Sequence, residues 1–149
     1  MRSESLFLSM KILIVFGSLL GKTKRLSVVA GMKLKDLGND VKVKDVRETE
    51  INELEYFDLI ILACSTWDDG QLQFDFKPFN SQLLEQDYQG KFFAVLALGG
   101  KKYPHFCYSA DILEKSIESA NGKLIIESLR LDFDHDEPME KCDVEVVEW

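Results

Sequence analysis

The chain has 149 residues, 46% of them hydrophobic, and a formal net charge of -8. This length supports one domain with a sizeable core and is too short for two typical domains. The acidic charge argues against nucleic acid as a partner and suits encounter with basic proteins, because opposite potentials steer association.

The chain begins with a short extension ahead of its first apolar run. Residues 1–10, MRSESLFLSM, continue no pattern of the chain, so we expect a tail and take Met10 as a candidate start. No apolar stretch approaches the roughly 18 residues of a spanning helix, so we expect no membrane partner. Residues 12–16 are continuously apolar, which is typical of a buried strand, and the domain is predicted over residues 11–149.

The turn after this strand is similar to a nucleotide P-loop but is one residue short. A P-loop reads G-x-x-x-x-G-K-[ST], so that successive backbone N–H groups wrap the β-phosphate. Here Gly17 and Gly21 enclose only three residues, so the arc closes early. We therefore interpret residues 17–23 as another phosphate-binding turn, in which Ser18, Thr23 and the amides of a helix N-terminus favour a terminal phosphate.

Helical and strand patterns then alternate along the first half. Apolar residues at helical spacing predict a first helix that ends at Gly38, and the alternating VKVKDV of residues 41–46 predicts a half-covered edge strand. A short helix or turn is expected near Ile51, followed by a continuous apolar strand at residues 59–64. That strand opens into an irregular loop that begins at Ser65.

The second half opens with a helix and another buried strand. Pro78 is placed to open a helix that buries Phe79, Leu83 and Leu84, since proline is tolerated in a first turn. Residues 92–98, FFAVLAL, form a further continuous apolar strand, which leads into the loop GGKKYPHFCYSAD.

Three more elements complete a β-α pattern repeated five times. A helical stripe covers residues 110–120, a fifth strand covers 124–131, and a last helix runs from about Pro138 to the end. Strands one, three and four are apolar on both faces, which predicts helices on either side of the sheet. We therefore predict an α/β fold with a doubly wound five-stranded parallel sheet in the order 2-1-3-4-5, whose ligand site lies between strands one and three.

The loops after strands one, three and four carry the groups of one predicted site. Ser65 and Thr66 add two hydroxyls directly after a core strand, and Trp67 follows them. Tyr103 lies just past Gly99 in the third loop. Two aromatic residues on separate loops beside a phosphate turn predict a slot for a flat ring with a phosphate tail, and FMN has that shape.

At these positions the chain resembles the flavodoxins, and the similarity extends over nearly the whole sequence. The family's phosphate signature, roughly [TS]-x-T-G-x-T, corresponds to residues 18–23, its stacking tryptophan after Ser-Thr to Trp67, and its Tyr-x-x-Phe-Cys to residues 103–107. A fifth strand without a long insertion is similar to that of the short-chain subgroup.

The resemblance implies a flavodoxin-like fold and a low-potential one-electron carrier with noncovalently bound FMN. Such a protein shuttles electrons between a reductase and acceptor proteins, and we expect a cytoplasmic monomer whose acidic surface meets these partners. The resemblance implies cofactor binding by Ser18, Leu19, Leu20, Gly21, Lys22, Thr23, Ser65, Thr66, Trp67, Asp68, Leu98, Gly99, Tyr103, Phe106 and Cys107.

The chain departs from the family pattern in the first and third loops. Leu20 stands where the family usually has a hydroxyl, which removes a phosphate hydrogen bond worth roughly 1.5 to 3 kcal/mol. Lys22 replaces a neutral residue and is the expected counter-charge for the phosphate. Gly100 takes the place of an acidic residue and is followed by Lys101 and Lys102, which we expect to favour the reduced, anionic cofactor and to raise its potential.

Three other classes of function suit a similar topology. A flavodoxin-like NAD(P)H-dependent FMN or quinone reductase is the main alternative, but it needs substrate room over the ring that Trp67 and Tyr103 would cover. A phosphate-signalling receiver needs acidic residues after strand one and a phosphorylatable Asp after strand three, where this chain has Phe16 and Cys64. A nucleotide hydrolase is disfavoured by the loop length and by the lack of an acidic residue at the end of LIILAC.

Neither a metal site nor a redox-active thiol is expected. The three cysteines lack the paired spacing of a zinc site or a disulfide scaffold, and Cys64 and Cys107 are better interpreted as small buried groups. His105 and His135 have no partner pattern for catalysis. The acidic cluster at residues 132–137 lacks the central glycine and final glutamate of an EF-hand.

Overall fold

The fold is built on one sheet, which a computed structural model describes over residues 9–18, 20–67, 70–132 and 139–149. Residues 1–8 of the predicted extension lie outside these ranges. The strands are β1 (Lys11–Gly17), β2 (Asp40–Asp45), β3 (Leu59–Trp67), β4 (Gln71–Leu72), β5 (Phe92–Gly99), β6 (Lys123–Leu124) and β7 (Leu129–Asp132). The helices are α1 (Lys22–Asp36), α2 (Phe76–Leu84), α3 (Tyr108–Ser119) and α4 (Glu140–Glu148), with short 3-10 helices at Val46–Glu48 and Ile51–Tyr56.

The order of strands across the sheet is β2-β1-β3-β5-β6, and β7 also pairs with β5. All of these pairings are parallel. The predicted order 2-1-3-4-5 is therefore confirmed, with β5 as the fourth strand and β6 and β7 together as the fifth. The sequence did not predict β4, which pairs antiparallel with the end of β3.

The central strands β1, β3 and β5 are buried on both faces, as their continuous apolar sequences predict. Because alternate residues of a strand face opposite sides, Leu13 and Leu62 pack with α2 and α3, whereas Ile12 and Ile61 pack with α1 and α4. Helices thus cover both faces of the sheet. The carboxyl ends of the three central strands are left together at one edge.

The fifth strand is interrupted, so the continuous strand predicted at residues 124–131 is wrong in its middle. Residues 125–128 separate β6 from β7. Within this break the carbonyl oxygen of Glu127 accepts a hydrogen bond from Trp149 Nε1 at 3.0 Å, which gives it a partner outside the strand ladder. The last helix is α4, and Pro138, where we expected it to begin, lies outside the described residues.

Helix α2 corrects one residue of the predicted core. It begins at Phe76, which places Pro78 in its first turn rather than at its start. Phe79 and Leu83 are buried as predicted, but Leu84 is 47% exposed. Successive residues of a helix are rotated by about 100°, so Leu84 cannot share the buried face with both of the other two.

At the edge opposite the three loops, the chain turns from helix to strand through left-handed residues. Gly38 has a φ of 97°, Gly90 of 90° and Asn121 of 60°. The helix end predicted at Gly38 is therefore confirmed, since a residue without a Cβ adopts this conformation at the lowest cost.

The adjacent residues Leu83 and Leu84 provide a matched test of the core. We expect Leu83→Ala to lower the free energy of unfolding by roughly 2 to 5 kcal/mol, because the side chain is 0% exposed. Leu84→Ala should cost less than about 1 kcal/mol. Urea unfolding of both variants measures the difference, and equal losses would contradict this orientation of α2.

Candidate functional site

The loops that follow β1, β3 and β5 line a cavity of about 220 Å³ at the carboxyl edge of the sheet. All three loops contribute, so the structure brings together the segments that the sequence placed there. The lining residues are Ser18, Leu20, Lys22, Thr23, Ser65, Thr66, Trp67, Leu98, Gly99, Gly100, Lys102 and Tyr103.

A second cavity of about 370 Å³ adjoins the first and shares Thr66, Trp67, Gly99, Gly100 and Tyr103 with it. It is also lined by His105 and Cys107. Phe106, a predicted cofactor-binding residue, lines neither cavity. Its side chain packs against the core, and Lys101 Nζ lies 5.9 Å from the centroid of its ring. Leu19 and Asp68 lie outside the described residues.

The first loop turns directly into α1 at Gly21, whose φ of 85° is left-handed. The first turn of α1 contains no acidic residue, so its N–H groups and the helix dipole present a positive potential to the cavity. Thr23 is 1% exposed, whereas Leu20 is 74% exposed. The turn therefore combines a buried hydroxyl residue with an apolar side chain that points largely into solvent.

Gln73, which the sequence reasoning missed, lies beneath the first and second loops. Its backbone N–H donates to the carbonyl of Ser65 at 3.1 Å. Its side chain is buried against Gly17, where an added Cβ would overlap it and lie 2.6 Å from Phe76 Cδ2. Gly17 is thus needed for close approach, a constraint that the sequence shows only as a glycine after a strand.

The second loop is a hairpin whose strands are the end of β3 and β4. Trp67 pairs with Gln71 in this hairpin, and its Nε1 donates to Ser65 Oγ at 3.1 Å. Ser65 therefore orients the indole and keeps its own hydroxyl proton for another acceptor. The hydroxyl of Thr66 instead donates to Ser109 Oγ of α3 at 2.8 Å, so its proton is already engaged within the protein.

The third loop is held at both of its ends. Near its start, the N–H of Lys101 donates to Asp132 Oδ1 at 3.0 Å. At its end, Cys107 has a left-handed φ of 50°, and its carbonyl accepts from Arg130 Nη1 at 3.1 Å. Between them Tyr103 is 60% exposed, and its N–H donates to the carbonyl of Gly100 at 3.1 Å.

The described residues that line the first cavity carry a net positive charge. Lys22 and Lys102 line it, and among the described lining residues there is no carboxylate. The sequence predicts that Lys101 and Lys102 together favour the reduced cofactor, but only Lys102 lines this cavity. The charge of these described lining residues is therefore opposite in sign to the net charge of the chain.

The thiols are unsuited to redox chemistry. Cys64, Cys107 and Cys142 are free and buried. Burial raises the pKa of Cys64 and of Cys107 to about 12 and also raises the pKa of Cys142. The interpretation of Cys64 and Cys107 as small buried groups is therefore confirmed.

The described parts of the chain contain neither a metal-binding cluster nor a membrane-spanning helix. Those parts hold no group of three or more histidines, cysteines and acidic residues arranged to bind a metal ion. They also contain no helix with the length and apolar character needed to cross a membrane. Of the acidic cluster considered as a calcium loop, Asp134, Asp136 and Glu137 lie outside the described residues.

The strand order and the position of the cavity define a doubly wound α/β protein. The family model described as Flavodoxin matches residues 14–145. A flavodoxin from Maridesulfovibrio salexigens is 30% identical over 142 residues, which cover 93% of this chain and 93% of that protein. The chain therefore belongs to the flavodoxin family, and its length fits the short-chain form.

Solved structures agree with this fold. The Streptococcus pneumoniae TIGR4 flavodoxin has a TM-score of 0.83 at 28% identity, with 93% of this chain and 92% of that chain covered. A Fusobacterium nucleatum flavodoxin bound to flavin mononucleotide has a TM-score of 0.81 at 22% identity, with 94% of each chain covered. The second similarity shows the common fold alone.

The burial of the thiols leads to a simple chemical test. At pH 8 we expect the folded protein to react with a disulfide reagent such as DTNB only slowly, because the thiols are inaccessible and neutral at this pH. Three thiols should react promptly in urea. Prompt reaction of any thiol in the folded protein would contradict this description.

Proposed function

We propose that this flavodoxin binds FMN noncovalently and carries electrons one at a time between a reductase and acceptor proteins. The observation that supports this proposal is that one cavity is lined by the first turn of α1 together with Trp67 and Tyr103. A phosphate-binding turn and two aromatic side chains around one space match the two ends of FMN.

The phosphate end fits the residues of the first loop. Ser18 and Thr23 provide hydroxyls, the amides of the first turn of α1 provide donors, and Lys22 provides a positive charge. Leu20 lines the same cavity but offers no hydrogen bond. Lys22 is therefore the counter-charge that offsets the hydroxyl missing at position 20.

The ring end fits the second and third loops. Trp67 is oriented through Ser65, and Tyr103 lines the same cavity from the third loop, which supports a slot in which the two aromatic side chains flank a flat ring. Bound FMN supplies the redox chemistry. The residues of this chain bind and orient it, limit its exposure to water and set the electrostatic potential around it.

The protein is a carrier rather than an enzyme in this proposal. Covering the ring with two aromatic side chains leaves its edge as the route for electrons and reduces the room for a second substrate over its face. The net charge of -8 supports basic redox partners, since complementary potentials raise the rate of encounter. In this proposal the carrier and its partners are cytoplasmic.

Cofactor binding is tested by titrating the apo-protein with FMN. We expect the flavin fluorescence to be quenched at a 1:1 ratio and the melting temperature to rise, because FMN binds only the folded state. Riboflavin, which lacks the phosphate, should bind more weakly. Equal affinity for riboflavin and FMN would contradict the role of the first loop, and no binding of either would overturn the proposed function.

The carrier role is tested by potentiometric titration of the FMN-loaded protein. Two separate one-electron steps are expected, together with negligible steady-state oxidation of NADPH by the protein alone. Rapid oxidation of NADPH would favour the FMN or quinone reductase alternative instead.

Lys101 and Lys102 form a matched pair for testing electrostatic tuning. A unit charge about 8 to 10 Å away, at an effective dielectric constant near 20, contributes roughly 2 kcal/mol before salt screening. Lys102→Ser should therefore lower the more negative potential of bound FMN by some tens of millivolts, since it removes a charge that stabilises the added electron. Lys101→Ser should lower it less, because its ammonium lies over Phe106.

Both potentials are measured for each variant at the same ionic strength, and the shift should shrink as salt is added. A larger shift for Lys101→Ser than for Lys102→Ser would show that the wrong lysine has been assigned.

A further inference from the structure

In the first turn of α3, one backbone N–H group donates to a side chain of the second loop. The first four N–H groups of a helix have no partner within the helix. In α3 the Tyr108 N–H donates to the His105 carbonyl at 3.2 Å and the Ala110 N–H to the Cys107 carbonyl at 3.0 Å. The Ser109 N–H donates at 3.1 Å to Thr66 Oγ1, which belongs to the second loop. Thr66 therefore caps a helix that is 43 residues distant in sequence.

Thr66, Ser109 and Cys64 form a chain of hydrogen bonds in which each donor and acceptor has a defined role. Thr66 Oγ1 accepts from the Ser109 N–H, so its own proton goes to Ser109 Oγ at 2.8 Å. Ser109 Oγ in turn donates to the carbonyl of Cys64 at 3.2 Å. Ser109 is fully buried, so water cannot replace these bonds. The end of β3 is thus joined to the start of α3 through the hydroxyls of Thr66 and Ser109.

The start of α3 is itself fixed from the fifth strand. Arg130 of β7 donates to the Cys107 carbonyl at 3.1 Å and to Asp111 Oδ1 at 2.7 Å, so one guanidinium contacts both the end of the third loop and the first turn of α3. A displacement at Ser109 would therefore be transmitted to the loop that carries Tyr103.

The second and third loops also meet at Gly70. A Cβ added there would lie 3.0 Å from His105 Cβ and 3.2 Å from Tyr108 Cδ2. This contact is steric and has no directional bond, whereas the bonds of Ser109 fix both a distance and an orientation. Ser109 is thus well placed to determine how far apart the two loops stand.

We propose that Ser109 is a positioning residue that sets the separation of the second and third loops, and so the width of the slot between Trp67 and Tyr103. Ser109 lines neither cavity described above and acts through Thr66 and Cys64. The consequence for FMN depends on the proposed function, whereas the coupling of the loops does not.

The test combines Thr66→Val, which removes the hydroxyl at nearly constant volume, with Ser109→Ala and the double variant. We expect each single variant to raise the dissociation constant for FMN about five- to tenfold. The dissociation constant of the double variant should be no higher than that of the single variant that binds FMN more weakly, because both substitutions break the same connection. Thr66→Ser, which keeps the hydroxyl, should bind FMN more tightly than Thr66→Val.

Ser116→Ala is the matched control. Ser116 is also buried in α3, and its hydroxyl donates to the Ile112 carbonyl at 3.0 Å, about 10 Å along the helix from Ser109. It should lower the melting temperature of the apo-protein without weakening FMN binding by more than about twofold. The visible circular dichroism of bound flavin should change for Ser109→Ala and not for Ser116→Ala.

Amide hydrogen exchange of the apo-protein provides a readout that needs no FMN. Residues 100–107 should exchange faster in Thr66→Val and Ser109→Ala than in Ser116→Ala. Unchanged exchange there, unchanged affinity in both single variants, or additive losses in the double variant would overturn the proposal. Failure of the wild-type protein to bind FMN would contradict the proposed function alone, because the exchange comparison still decides whether Ser109 couples the loops.

Discussion

Burial of the three central strands on both faces is the constraint on which the rest of the molecule depends. Strands β1, β3 and β5 have apolar residues on each side, so each face of the sheet needs helices to exclude water. Parallel neighbouring strands are joined by crossover connections, which carry the chain back across a face of the sheet to the edge where the next strand begins. All the strands therefore end at the same, carboxyl edge. The three loops that line the cavity therefore meet because of a requirement of the core, before any of their side chains contributes to binding.

The distribution of charge separates two electrostatic roles. The chain as a whole is acidic, with a net charge of -8, while Lys22 and Lys102 line the first cavity. At physiological ionic strength, fields from exposed charges decay over about 8 Å, so the sum of many charges governs encounter while a few near neighbours govern a bound group. Under the proposed function, the protein would attract basic partners through its net charge while the lysines stabilise negative charge in its own cavity. These two properties can be altered independently.

Sequence patterns predicted the five parallel strands of the sheet, their order and most of the cavity-lining residues, because these depend on local periodicity and on loops that follow buried strands. They did not predict β4, the short antiparallel strand. The contacts between loops were not predicted. Ser109 and Arg130 act through hydrogen bonds to residues remote in sequence, and a serine or arginine within a strand or helix carries no local sign of such a partner. Gln73 packs against Gly17, a contact that the sequence shows only as a glycine after a strand. The exposure of Leu84 and the break in the fifth strand depend likewise on helix phase and on tertiary contacts.

The turns at Gly38, Gly90 and Asn121 lie at the opposite edge of the sheet from the cavity. Each connects the end of a helix to the start of the next strand, so a change of length there moves no residue of the three loops. This division leaves one side of the molecule open to insertions, new termini or attached domains while the other side retains its geometry. A permuted or fused form with its junction at one of these turns would keep the sheet and the three loops as a transferable unit.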